Sequence, residues 1–259
     1  MKNINAMILL VLLPLFGASA ADRADTIMRR HYDLPKPETV YAQMTMVLKD
    51  EAGRITQRQL EMYSRTTSQG TSSYTEVLAP ADIRGTRFLS LPGIDNSEEQ
   101  RLWLPDLGRI RKISTNSETD SFLGSDLSYW DMKTHRFELF SYSLQGERNI
   151  SCIRDGLRQS VPCWLVEGIP DAGTSPYARI VSCIGKDDYF VYRSEMWAAN
   201  GSPIKTVAIA EIVRRAGVIF PSQTLVVTAS GHKTLLKADS LELNAGVPLD
   251  VFSLQHLSR

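Results

Sequence analysis

The chain reads as a mainly β protein with some helix, an α+β fold. Its large curved antiparallel sheet is a half-open β-barrel covered by an N-terminal helix and short inserted helices. Three observations predict this. From residue 39 onward Val40, Ala42, Met44, Met46 and Leu48 alternate with Thr39, Tyr41, Gln43 and Thr45, the pattern of a strand with one buried face. Further strand-like runs follow through short turns without alternating helices, which argues against parallel βαβ units. A long one-sided antiparallel sheet curls under its own twist and must close on itself or be covered.

At the N-terminus, Lys2, the apolar run from Ala6 to Phe16 and the small residues Ala18, Ser19 and Ala20 form a secretory signal peptide over 1–20. The run is too short to span a bilayer. No cysteine follows the cleavage site to take a lipid. Residues 21–259 are therefore expected as one soluble exported domain.

That domain opens with a helix over 21–32. Ala24, Ile27, Met28, His31 and Tyr32 share a face. Asp22 and Asp25 suit the positive end of its dipole, and Arg29 and Arg30 the negative end. Pro35 and Pro37 stop it. Strands are predicted at 40–48, 54–66, 73–78, 87–91, 100–104, 109–113, 135–143, 159–168, 177–184, 189–197, 204–213, 221–229 and 232–243. Asn200-Gly201 is the strongest hairpin signal, because a type I′ turn needs two residues that tolerate positive φ. Residues 117–132 lack alternation and are expected to hold short helices laid across the sheet. With the first helix they would form a lid less stable than the sheet.

Composition narrows the function. Lys plus Arg and Asp plus Glu number 29 each, for zero formal charge. A nucleic-acid partner would need a basic footprint, and none is visible. After the leader no apolar run reaches spanning length, so membrane contact is expected to be transient. The three cysteines contain no Cys-x-x-Cys and the four histidines are scattered, which points to no metal and no cofactor. Cys152 and Cys163 flank the turn Arg154-Asp155-Gly156. A disulfide there would close a hairpin and contribute roughly 2–3 kcal/mol; the alternative is three buried thiols.

Nucleophile elbows, dinucleotide fingerprints and phosphate loops are missing from the sequence, so no enzyme is expected. Asp126 and Asp131 could form a carboxylate pair, but Ser125 or Asp126 capping a short helix is the better reading. Trp103 and Leu104 read as core ahead of a lipid-contacting face. Arg109, Arg111 and Lys112 read as a solvated strand face.

Four blocks carry a family resemblance. They are Trp103-Leu104-Pro105 with Arg109-Ile110-Arg111-Lys112-Ile113; Phe122-x-Gly124-Ser125-Asp126-x-Ser128-Tyr129-x-Asp131; Cys163-Trp164-Leu165-Val166-Glu167; and the run from Tyr177 through Ile204-Lys205-Thr206. Over nearly all of the mature chain they resemble the LolA-like outer-membrane lipoprotein-sorting proteins, in the branch beside RND-type (MMPL-like) exporters. The resemblance implies a curved sheet around a hydrophobic cavity for acyl chains, no catalytic residues, and an inner-membrane exporter as partner. The expected function is a monomeric periplasmic carrier of a lipid or lipoprotein. The alternative is a non-catalytic sensor or adaptor docking on a membrane protein. The larger apolar residues on the sheet's inward parity and on the lid are the candidate cavity lining: Met44, Met46, Trp103, Ile113, Phe122 and Trp130. Methionine suits varied tails because it is unbranched and polarisable.

Overall fold

The computed structural model of the protein describes residues 20–93 and 97–259. The signal-peptide reading therefore lies, apart from the backbone of Ala20, outside the described residues. Helix α1 (Ala20–Tyr32) is followed by strands β1 (Thr39–Lys49), β2 (Ile55–Thr67), β3 (Gly70–Ala79), β4 (Arg87–Pro92), β5 (Glu98–Leu104) and β6 (Arg109–Lys112). After the inserted segment come β7 (Phe140–Arg154), β8 (Leu157–Pro170), β9 (Arg179–Gly185) and β10 (Val191–Trp197). Strands β11 (Pro203–Arg215), β12 (Val218–Thr228) and β13 (Lys233–Leu243) and a short helix α2 (Leu254–Leu257) complete the chain.

All thirteen strands form one sheet in the order β10-β9-β8-β7-β11-β12-β13-β1-β2-β3-β4-β5-β6. Each falls on a run read from the alternation, with one shift. The strand expected at 135–143 begins at Phe140 and continues to Arg154, after a single 3-10 turn at Phe137–Leu139. Its polar middle, Gln145 to Asn149, hid it from a hydrophobic pattern.

The sheet is also not a plain meander. Strand β10 pairs antiparallel with residues 203–208 of β11, and β7 pairs parallel with Glu211 and Ile212 of the same strand. Five strands thereby form a ring. Asp188, in the turn between β9 and β10, fastens it. Its Oδ2 accepts hydrogen bonds from Arg154 at the end of β7 (2.6 Å), Arg214 of β11 (2.6 Å) and Tyr192 of β10 (2.7 Å).

The two halves of the sheet fill their faces differently. Over β1 to β5, Met46, Leu60, Val77, Phe88 and Leu102 pack against Ile113, Phe122, Leu127 and Tyr129 from the end of β6 and the inserted segment. The opposite face carries Tyr74, Leu89 and Trp103, covered by Val251 and Leu257 near the C-terminus. In the other half, α1 lays Ala24, Ile27 and Met28 on Tyr142, Val166 and Ile184.

The β7–β8 hairpin exists, but the disulfide across it does not. Cys152 stands opposite Gln159 and Cys163 opposite Arg148. The two are thus four positions out of register, roughly 13 Å along the strands, whereas a disulfide needs Cα atoms within about 7 Å. Cys152, Cys163 and Cys183 are free and buried.

Candidate functional site

A cavity of about 260 Å³ lies beneath α1. Met28, His31 and Tyr32 form its roof, Val166, Ile180, Met196 and Val207 its floor on the sheet, and Leu127, Trp130 and His135 one wall. Its lining is mostly apolar.

The space arises from small residues. Gly168, Ser182 and Ser194 sit on the cavity side of β8, β9 and β10, where the other half of the sheet places Met46, Leu60 and Phe88. Ser182 and Ser194 are directly opposed, their hydroxyls 3.0 Å apart and satisfying each other. At Gly168 a Cβ would lie 3.3 Å from the Tyr142 ring, so glycine lets that ring lie against the strand.

Of the six candidate lining residues, Trp130 alone borders this cavity. Met46, Ile113 and Phe122 are closed into the core of the first half, and Met44 packs against it. Trp103 points to the opposite face, under the C-terminal segment. Alternation assigns a residue to a face, but the inserted segment fills the inward face of β1 to β5 with side chains. The residues missed are Met28, Tyr32, Val166, Ile180, Met196 and Val207. Their signal was present in the small residues Gly168, Ser182 and Ser194 at matching parity on neighbouring strands.

The Gly-Ser-Asp block is a clasp that holds the inserted segment to the sheet. Asp131 Oδ2 accepts hydrogen bonds from Ser128 N (2.6 Å) and Ser128 Oγ (2.8 Å) and pairs with Lys205 Nζ of β11; its Oδ1 accepts from Tyr177 OH at 2.8 Å. Lys205 also donates to the Asp126 carbonyl at 2.9 Å. The Asp126 carboxylate in turn accepts from Thr234 Oγ1 of β13 at 2.7 Å. Neither Ser125 nor Asp126 caps a helix as expected. Ser125 lies at the C-terminal end of the 3-10 turn Phe122–Gly124 and donates its hydroxyl to Phe122 O at 2.7 Å. Gly124, at φ 67°, makes the tight turn; a Cβ there would lie 2.9 Å from the Arg58 guanidinium.

A family model described as an uncharacterized protein matches residues 69–259. The chain belongs to that family. No curated protein matches it. Among solved structures, a domain assigned as an outer membrane lipoprotein-sorting protein from Vibrio parahaemolyticus superposes with a TM-score of 0.82 at 22% identity, covering 92% of this chain and 100% of its own. A DUF1329 family protein from Desulfovibrio piger gives 0.82 at 23% identity, covering 93% and 100%. A LolA superfamily protein from Nitrosomonas europaea gives 0.66 at 15% identity, covering 90% and 98%. The fold is LolA-like. No helix among the described residues is long and apolar enough to cross a membrane.

In this cavity the polar groups are kept neutral or occupied. His135 stacks on Trp130 with ring centroids 3.8 Å apart. Burial pushes its pKa down to about 4, against the opposing pull of Asp131. Burial also lowers His31, whose Nδ1 lies 3.1 Å from the Tyr189 carbonyl; there it acts as an N–H donor. Burial raises the Tyr142 hydroxyl far above its ordinary value. Trp130 Nε1 donates to Thr174 O at 3.0 Å. What the walls offer a guest is chiefly apolar contact.

Proposed function

We propose that this protein is a periplasmic carrier that shields the acyl chain of a lipid or lipoprotein in the cavity beneath α1. The observation that supports it is the apolar cavity itself, opened by Gly168, Ser182 and Ser194 in a sheet of LolA-like fold. An acyl chain moved from water into such a site gains about 0.8 kcal/mol per buried methylene, so burial alone would hold the cargo without a covalent step. Asp126 and Asp131, the carboxylates an enzyme reading would need, are engaged in the clasp.

In this reading residues 1–20 direct export and 21–259 act as one monomeric carrier unit. Cargo is handed between membranes with an inner-membrane RND-type exporter as the partner implied by the family resemblance. Cargo enters by movement of α1. Its neighbours Leu34, Pro35, Lys36 and Pro37 line a second hollow beside it.

The test is lipid extraction and mass spectrometry on mature protein purified from the periplasm without detergent, beside a Val207→Trp variant that fills the cavity. The reading expects a stoichiometric lipid or acylated peptide on the parent and none on the variant. An empty parent, still empty after incubation with membranes, would overturn it.

A further inference from the structure

Three hollows meet at Tyr32 and His135. The first is the apolar cavity beneath α1. The second, about 350 Å³, lies between residues 34–37 and Phe190, Gly217 and Ile219. The third is an open depression of about 310 Å³ lined by Arg29, Asp33, Lys36, Thr134, Arg136 and Glu138.

The depression differs in chemistry from the cavity behind it. Lys36 has no ion pair among the described residues, and Arg136 is held only by exposed Glu138 at 3.7 Å. Arg29 lies over the Phe137 ring, 4.2 Å from its centroid. These three cations outnumber the lining carboxylates Asp33 and Glu138 and offset the negative end of the α1 dipole, which by itself would repel an anion. Between depression and cavity stands the His135 imidazole, with no hydrogen-bond partner among the described residues. An amphiphile crossing that junction would place an apolar tail inward and a charged head outward.

Resting on the carrier reading, we propose that the junction selects single-chain anionic amphiphiles. The tail would occupy the cavity, and a phosphate-bearing head would sit in the depression against Lys36, Arg136 and the Thr134 hydroxyl. The tail is single because 260 Å³ is already less than the volume of one palmitoyl chain, so the cavity encloses only the inner part of one tail. Two chains side by side would not fit.

The test is calorimetric titration of the mature protein at low ionic strength with palmitoyl lysophosphatidylglycerol, the uncharged single-chain monopalmitoylglycerol, dipalmitoyl phosphatidylglycerol and inorganic phosphate. The double variant K36E/R136E is titrated in parallel. Lysophosphatidylglycerol is expected to bind most tightly. The double variant should weaken it about tenfold, the scale of two exposed charge contacts reversed, and leave monopalmitoylglycerol, which has no phosphate, unchanged. Retained monopalmitoylglycerol binding also reports that the variant folds. Equal affinity for both heads, untouched by the variant, would overturn the head site and leave the carrier reading standing. Equal binding of the two-chain lipid would overturn the single-chain assignment. Saturable binding of phosphate alone would make the depression a free-anion site instead. Failure of every amphiphile to bind would overturn the carrier reading itself.

Discussion

Lys205 and Asp131 form an ion pair with only 6% of either side chain exposed. It joins β11 to the inserted segment at the wall of the cavity, where Asp131 and Trp130 are adjacent lining residues. Two buried charges this close stand or fall together. Removing one strands the other in a medium that solvates it poorly.

Lys205→Met and Asp131→Ala are each expected to destabilise the protein by about 3–5 kcal/mol, the range for breaking a buried pair. The double substitution to apolar residues should recover a large part of that loss. Urea unfolding of the three variants checks it. Additive losses would mean that the two residues act independently.

Stability should fall on mild acidification. The folded protein holds His135 near pKa 4, against 6.5 for a free imidazole. Between those values the unfolded chain binds more protons, so stability rises with pH through the window and is lost as pH falls through it. From pH 7 to pH 5 the loss from this one group is on the order of 2 kcal/mol. His31, also lowered, adds in the same direction. Melting curves of the parent and His135→Phe should separate across that range, the parent falling further than the variant as pH drops.

Met46→Asp should unfold the protein and not merely empty it. Met46 is fully buried with Leu60, Val77 and Phe88, where an unpaired carboxylate has no partner. Val207→Trp, at a partly buried position on the cavity floor, should instead keep the fold and lose lipid retention. Circular dichroism with lipid analysis separates the two outcomes.

The two parts of the expected lid should behave differently. The inserted segment is tied down through Lys205, Thr234 and Tyr177, whereas α1 rests mainly on β7 through apolar contacts. Amide exchange should be faster in α1 than at Phe122, Tyr129 and Trp130, whose N–H groups donate to backbone carbonyls within the segment. Equal protection in both would argue against entry by movement of α1.

The cysteines should be silent in the native state. Burial pushes Cys152 up to about 11 and Cys163 up to about 12 and raises Cys183, so little reactive thiolate exists near neutral pH. A thiol reagent should label none of the three in native protein and all three in denaturant. A missing thiol after denaturation would reveal a disulfide.

Whatever depends on the chain's own period was legible in the sequence. Alternation from Val40 to Leu48 marked β1, the helical face from Ala24 to Tyr32 marked α1, and the loss of any period near Ser117 marked the inserted segment. These are local consequences of backbone geometry: a strand repeats every two residues and a helix every 3.6. What the tertiary structure decided is which inward face stays open. Met46 and Ile180 both point inward from strands, yet one is sealed by Phe122 and its neighbours while the other, only partly buried, borders free space. That outcome depends on side-chain volumes summed across strands distant in sequence, as with Gly168, Ser182 and Ser194. The Lys205–Asp131 pair and the register that parts Cys152 from Cys163 have the same origin. Periodicity assigns faces; only packing in three dimensions assigns volumes and partners.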